Sequence, residues 1–572
     1  MRIAVVKEKD CIAPDSCNYI CAEVCPRVRE GLKETVYARN NGKAAISEEL
    51  CISCGICVKR CPTEAIKIIN LPDEMMKDLT FQYGINTFRT FGIMTPIKSR
   101  VVGLIGRNGT GKTTNINLVS NQIKPNFGKF DDPPKDAEVI KHFRGKEIQQ
   151  YLIDLYNSHI SVAKKPQDFY LSGKVNEIVK LNKYGLVPPQ LMERESATLS
   201  GGESQLIEIA RTLDVDANVY IFDEPMNYLD VTKRIEVATL IRERLKDKTV
   251  IVVEHDLIML DYLTDFVQIL YGSDGNYGIM SRVMQTRNGI NNYISGYLPT
   301  ENVRFRNYEI KIGKERAVES NEMCLAWPEF SVRAGEFELH ARSGDLYSGE
   351  ILGIIGKNGT GKTTFIKSLA GVMETSNGTL NFDKRIAFKP QIIPRFDAIV
   401  GDVLSNVMAD YASNEQATTI LSRLGVDKLI NKNIKTLSGG ELQKVAIVST
   451  LLSNADLFLF DEPSANLDVE DRLEVMEIIR NFINANMKSA IVIDHDIMFI
   501  DSVCSRALVF NGTSGVNGCT SEVYRAPKAI NAFLSSINIT MRRDKESNRP
   551  RINQPNSRLD LEQKERKEFF AE

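Results

Sequence analysis

A chain of 572 residues, 43% apolar and 26% charged, is long enough for several domains with ample core. Its formal net charge is −2, so no global field draws it to nucleic acid, and any such contact must come from local basic patches. No apolar run is long enough to span a bilayer, and Met1-Arg-Ile-Ala-Val-Val-Lys7 is too short and too soon charged for a signal peptide.

The first 75 residues read as a ferredoxin-like domain. Of the 11 cysteines, eight lie between Cys11 and Cys61, and such crowding without a secretion signal points to metal rather than disulfides. Cys51, Cys54, Cys57 and Cys61-Pro62 form the bacterial ferredoxin run for a [4Fe–4S] cluster. Cys11, Cys17, Cys21 and Cys25-Pro26 form a looser second set. In two-cluster ferredoxins the last cysteine of each run ligates the other cluster. One cluster is therefore expected on Cys51, Cys54, Cys57 and Cys25, and the other on Cys11, Cys17, Cys21 and Cys61. Two tetrahedral zinc sites are the alternative. No flavin or haem motif offers the electrons a destination. That favours a rigid mechanical head, tethered near Leu71-Pro-Asp-Glu74, over electron transfer. Cys324, Cys504 and Cys519 stand alone and read as packing residues.

A first α/β ATPase unit is expected over residues 76–300. The apolar run Val101–Ile105 leads into Gly106-Arg-Asn108-Gly109-Thr110-Gly111-Lys112-Thr113-Thr114, a phosphate-binding P-loop. Its glycines let successive N–H groups point at phosphate oxygens, and the following helix presents its N-terminus to the anion. Lys112 reaches the β/γ-phosphates and Thr113 ligates Mg²⁺. Apolar residues at helical spacing from Ile140 to Leu155 predict an inserted helical segment at about 133–165. Gln167 follows. Val219-Tyr-Ile-Phe-Asp223-Glu224 is a buried strand ending in two carboxylates, with Asp223 expected to hold Mg²⁺ and Glu224 to polarise the attacking water. His255 follows the strand Val250–Val253.

A second unit, expected over 316–535, repeats every part. Gly356-Lys-Asn358-Gly359-Thr360-Gly361-Lys362-Thr363-Thr364 is followed by Gln391, Asp461-Glu462, Asp468 and His495. Lys112 and Lys362 are 250 residues apart, but Asp223 and Asp461 only 238. The first unit therefore carries 12 extra residues before its carboxylates, and the inserted helices account for them. Residues 301–315 and 536–572 read as basic, proline-punctuated hinges.

Leu199-Ser200-Gly201-Gly202-Glu203 and Leu437-Ser438-Gly439-Gly440-Glu441 resemble the signature of ATP-binding-cassette proteins, and Asp230 and Asp468 fit the D-loop aspartates. By that resemblance His255 and His495 are the switch histidines, and Gln167 and Gln391 join the Mg²⁺ set. Each signature then completes the opposite P-loop, Ser438–Glu441 with Gly106–Thr114 and Ser200–Glu203 with Gly356–Thr364. A two-cluster head before two cassettes resembles the ABC-E family, the RNase L inhibitor or ribosome-recycling ATPase. The stretches His142–Gln149, Gly296–Arg306 and Asn548–Asn553 carry that resemblance most specifically.

The resemblance implies a cytoplasmic monomer whose two cassettes pair head-to-tail within one chain. Closure on ATP and Mg²⁺ would swing the iron–sulfur head against a release-factor-like protein and split ribosomal subunits. It also implies a stay on the small subunit into initiation, with initiation factors as further partners. Tyr83 and Phe88 fall where the first adenine stacks. Arg304, Arg306, Arg542, Arg543, Arg549 and Arg551 in the two hinges are expected to meet ribosomal RNA. Two departures make the ATP sites inequivalent: Met226 stands opposite Ser464, and Leu206 opposite Lys444. Other readings are a transporter's ATPase subunit, in which a cysteine head has no role, and an ATP-coupled reductase. A DNA-repair cassette needs a long coiled coil before the signature, for which there is no room.

Overall fold

A computed structural model describes residues 2–70, 78–310, 312 and 322–571. The expected tether at 71–74, the boundary at 75/76 and the end of the first hinge at 313–315 lie outside the described residues.

The two cassettes share one sheet plan of nine strands. In the first, the order is Leu79–Gln82, Arg89–Phe91, Tyr277–Met280, Phe266–Ser273, Val101–Gly106, Thr249–Val253, Val219–Asp223 and Val162–Lys165, with Met284–Gln285 pairing at the side. The last five of that order run parallel. The second cassette repeats it around Ile351–Gly356, flanked by Ser489–Ile493 and Arg506–Asn511. The P-loop and carboxylate strands are apolar runs buried along their whole length, as parallel strands covered on both faces require. Both P-loops therefore open at the C-terminal edge of a central strand, beside the carboxylates that end the next strand but one.

The insertion forms two helices, Asp136–His142 and Ile148–Tyr156. Val139, Phe143, Ile148, Leu152 and Leu155 are buried against the first cassette. Helices thus occupy 136–156 of the expected segment, and its end, Val162–Lys165, is the edge strand of the sheet.

The head is docked on the first cassette around one buried asparagine. Asn86 is fully buried in a left-handed backbone conformation. Its Nδ2 donates to Ala4 O at 2.9 Å, its Oδ1 accepts from Ile46 N at 2.7 Å, and its carbonyl accepts from Val6 N at 2.9 Å. Lys7 pairs with Asp274 at 3.0 Å, and Arg89 pairs with Glu48. The head is therefore a packed unit rather than a weight on a string.

Five of the six hinge arginines are engaged within the chain. Arg306 is buried: it pairs with Glu470 at 3.0 Å and donates to the carbonyls of Tyr293, Ile294 and Tyr308. Arg549 is fully buried 3.6 Å from Asp261. Arg551 forks onto Asp261 at 2.5 and 3.1 Å. Arg543 pairs with Asp501 at 2.8 Å, and Arg542 donates to Asn553. In this arrangement these five bond carboxylates and carbonyls of the chain itself, Arg306 and Arg549 buried and the other three half-buried. Sequence shows their charge but not their burial. Arg304 alone of the six is exposed, over the Tyr297 ring. Removing one partner of a buried ion pair strands the other. Arg306→Ala is expected to cost about 3–5 kcal/mol of stability, and Arg304→Ala about 0.5 kcal/mol or less. Denaturant unfolding checks the contrast, and equal losses would contradict it.

Candidate functional site

Each P-loop is wound tightly by its glycines. Gly109, Gly111, Gly359 and Gly361 all have positive φ. A Cβ at Gly111 would overlap the Phe88 ring, and one at Gly361 would meet Phe337. Lys112 Nζ donates to Gly106 O at 2.8 Å and Arg107 O at 3.0 Å, and Asn108 Oδ1 lies 3.1 Å away. Lys362 Nζ donates to Gly356 O and Lys357 O. Burial disfavours both ammonium ions, bringing Lys362 down to about 8. A phosphate seated above them supplies the counter-charge they lack. Tyr83 is half exposed, with its hydroxyl 3.1 Å from Thr114 Oγ1. Tyr83 and Phe88 thus flank the first loop, and Phe337 is the second loop's aromatic.

The carboxylates divide into two kinds. Burial and the neighbouring glutamate push Asp223 and Asp461 up to about 6. Thr363 Oγ1 donates to Asp461 Oδ2 at 2.9 Å, while the buried Oδ1 has no hydrogen-bond partner. An unsatisfied buried carboxylate oxygen beside a threonine hydroxyl suits a divalent cation. Thr113 and Asp223 are the matching residues of the first cassette. Glu224 behaves oppositely. Burial works against its charge, but His255, Lys112 and Asn227 outweigh that and hold it down to about 2. Gln167 Nε2 donates to its Oε1 at 3.0 Å and Asn227 Nδ2 to its Oε2 at 2.6 Å. His255 Nε2 lies 3.3 Å away. Burial and Lys112 push His255 down, so the ring is neutral near neutral pH. Glu462 is likewise held down to about 2, against burial, by His495, Lys362 and Gln391. Gln391 donates to it at 2.7 Å, and His495 stands 3.2 Å off. Both glutamates sit in left-handed backbone at φ 48°, which turns the carboxylate out of the strand's line. An ionised, oriented glutamate beside a P-loop can polarise water. Gln167 and Gln391, expected on Mg²⁺, hold these glutamates instead in this arrangement.

The two sites are crossed. Asp468 Oδ2 accepts from Asn108 N at 2.9 Å, and Asp230 Oδ2 accepts from Asn358 N at 2.8 Å. The same aspartates cap the helices Val469–Ala485 and Val231–Arg244. Ser200 and Ser438 each close a capping box with Glu203 and Glu441. Gly202 abuts the Tyr228 carbonyl, which also meets Asn358 Nδ2 at 3.4 Å. The first signature therefore borders the second P-loop.

In the head, Cys11, Cys17, Cys21 and Cys61 line one cavity. The thiols acting on Cys57 are Cys51, Cys54 and Cys25. These groupings follow the expected exchange, with Cys57 also acting on Cys21 across it. Burial, then neighbouring thiols, push Cys21 up to about 12 and Cys57 up to about 11. Such thiols ionise together only against positive charge, which iron supplies. All eight are free of disulfides.

A model of the ABC transporter ATPase matches residues 94–227 and 339–465, and a 4Fe-4S binding domain model matches 44–67. ABC transporter E family member 1 of Arabidopsis thaliana is 38% identical over 98% of this chain and 97% of its own length. Translation initiation factor RLI1 of Saccharomyces cerevisiae is 38% identical over 100% and 98%. A solved structure described as a model of ribosome-bound archaeal Pelota and ABCE1 superposes with TM-score 0.93 at 41% identity, covering 100% of this chain and 99% of its own. The chain belongs to the ABC-E family. It is an ATPase with twin cassettes behind an iron–sulfur region.

Within this ABC-E chain, the structure adds Asn227 and Glu254, which motif reading passed over, and gives contacts to the Met226/Ser464 and Leu206/Lys444 departures. Asn227 touches the Glu224 carboxylate, and its counterpart in the second cassette is Ala465, so the two glutamates are held differently. Ser464 donates to Asp494 at 2.7 Å, where the first cassette has Met226 and Glu254, a fully enclosed acid pushed up to about 8 by burial and Asp256. Lys444 pairs with Asp471 at 3.0 Å, and its counterpart Leu206 is core. Aligning the repeats shows each of these, by an offset of 238 residues at Asn227, Met226 and Leu206 and of 240 at Glu254.

Replacing both Glu224 and Glu462 with Gln is expected to slow turnover by about 10²–10⁴-fold while retaining ATP. The single variants should differ from each other. Steady-state hydrolysis with a nucleotide-retention assay reads both, and parental turnover of the double variant would refute the roles. MgATP affinity should also weaken as pH falls through about 6, because protons then compete for Asp223 and Asp461. Calorimetric titration with and without Mg²⁺ checks this, the Mg²⁺-free series being the flatter.

Proposed function

We propose that this chain is a cytoplasmic ATP-driven ribosome-recycling factor with two [4Fe–4S] clusters in its head. The two exchanged cysteine quartets support the second cluster, which the 44–67 match does not reach. Among the described residues no three His, Cys, Asp or Glu converge as a single metal ion requires. Cys11, Cys17, Cys21 and Cys61 surround a space, as suits a cluster. Mg²⁺ would be held by Thr113 and Asp223, and by Thr363 and Asp461, and would neutralise charge on the phosphates.

One observation carries the reading: the head touches both cassettes. Asn86 fixes it to the first, and Lys432 of the second lies 3.4 Å from Asp10 of the head. ATP in both P-loops draws each signature toward the opposite site, so the cassettes cannot close without moving the second one past the head. Among the described residues no helix is long and apolar enough to cross a membrane. The solved relatives bear on the partner. One is ribosome-bound beside Pelota, and another, with TM-score 0.82 at 41% identity over 87% of this chain, is a complex of a ribosome recycling factor with a ribosomal stalk protein. We read the partners as the small subunit, through the insertion and Arg304, and a release-factor-like protein against the head. Initiation factors follow from the RLI1 likeness.

Purified without oxygen, the protein should carry about eight iron and eight sulfide. Deleting residues 1–72, or replacing Cys54 or Cys57 with Ser, should leave ATP binding and basal hydrolysis while abolishing subunit splitting. Sedimentation of ribosomes with saturating ATP and release factor reads the outcome. Splitting by the headless chain at the full-length rate would overturn the mechanical role.

A further inference from the structure

The two signatures are capped alike but held differently. In the first cassette Arg194 pairs with Glu203 at 3.1 Å and donates to Thr198 O at 2.6 Å. Both partners belong to its own loop, and the fork of the guanidinium engages them together. The residue 238 positions on is Lys432, which pairs with Glu441 at 3.3 Å and with Asp10 of the head at 3.4 Å. A lysine is a point charge without a fork, so it is shared between two domains where the arginine is kept within one.

Each end of this bridge is anchored. Glu441 Oε2 accepts from Ser438 N at 2.8 Å, and Ser438 Oγ accepts from Glu441 N at 3.2 Å, so Glu441 sets the first turn of the signature helix. Asp10 precedes Cys11, and its carbonyl accepts from Thr63 Oγ1 at 2.5 Å. Cys11, Cys61 and Thr63 all line the head's cavity. The backbone of Lys432 is itself fixed, since its carbonyl accepts from Val400 N at 3.0 Å.

We propose that Asp10–Lys432–Glu441 is an electrostatic latch through which the head restrains the second signature, and with it only the ATP site of the first P-loop. The latch rests on the reading that the head moves when the cassettes close. Closure draws Ser438 and Glu441 toward Gly106–Thr114 and parts Lys432 from Asp10. Lys432 then serves Glu441 alone, as Arg194 serves Glu203. By reciprocity, anything that displaces the head favours nucleotide at the first site. A partner pushing on the head thereby licenses one ATP site and not the other.

The test uses the full-length, cluster-loaded chain, with Lys362→Ala isolating the first site and Lys112→Ala the second. Asp10→Asn should tighten MgATP at the first site about 2–5-fold, the range open to one partly exposed pair, and leave the second unchanged. Lys432→Arg, which can fork onto Glu441 and the Thr436 carbonyl, should act in the same direction. The double variant should gain no more than either single. Iron content and visible absorbance confirm that Asp10→Asn retains its clusters, and if it does not, Lys432→Arg, remote from them, decides alone. Unchanged first-site affinity, equal shifts at both sites, or additive effects would overturn the latch. Parental protein that fails to split ribosomes would instead overturn the recycling role, which this affinity measurement does not touch.

Discussion

The molecule depends on an exchange of two carboxylates. Asp468 takes a backbone N–H of the first P-loop and Asp230 one of the second. Each aspartate also caps its own helix, so a 14- or 17-residue helix in one cassette is aimed at the phosphate loop of the other. An aspartate suits this place because its short chain accepts from two N–H groups at once. These two hydrogen bonds couple each P-loop to its partner's helix and join the two sites mechanically. Around the same axis, Arg234 pairs with Asp256 at 2.8 Å and Arg472 with Asp496 at 3.0 Å, all four largely buried. Isolated pairs of this kind add little net stability against apolar replacements.

The hinges extend that constraint. Glu470 lies two residues beyond Asp468, on the same helix. It receives Arg306 from the first hinge, Arg107 from the first P-loop at 3.3 Å, and the hydroxyl of Tyr293. Asp261 of the first cassette gathers Arg549 and Arg551 from the second hinge, and Asp544 ties Arg551 to Arg287. The basic hinges are therefore the chain's own pivots. Their charges are largely consumed in holding the cassettes together.

Sequence made the phosphate chemistry legible because that chemistry is local. A loop that wraps a phosphate needs its glycines, lysine and threonine within nine residues, and a strand that delivers Asp223 and Glu224 must be apolar up to its end. The same holds for thiols clustered at ferredoxin spacing. What stayed hidden depends on distant pairing. Charge at Arg306 or Arg549 does not reveal Glu470 or Asp261. Nothing near Asn86 announces that it staples the head, and Asn227 looks like filler until it is found on Glu224. Helix and strand placement followed from periodicity and burial, whereas the division of labour between the two halves required their contacts.

That division follows from where the repeat is broken. The two cassettes agree in strand order, P-loop and carboxylates, and disagree beside the catalytic glutamates, at Asn227/Ala465 and Met226/Ser464, and where they touch other parts of the chain. Glu470 has the neutral Thr232 as its counterpart, and Lys432 has Arg194. Both differences fall on the first ATP site: Glu470 grips Arg107 of its P-loop, and Lys432 holds the signature that completes it. The first site is thus wired to a hinge on one side and to the head on the other. The second site, bordered by Ser200–Glu203, has its signature glutamate satisfied within its own loop by Arg194. A duplicated ATPase with equal sites would respond to nucleotide alone. Unequal wiring of equal catalytic parts allows one site to respond to what the head and hinge contact, while the other keeps the pair engaged.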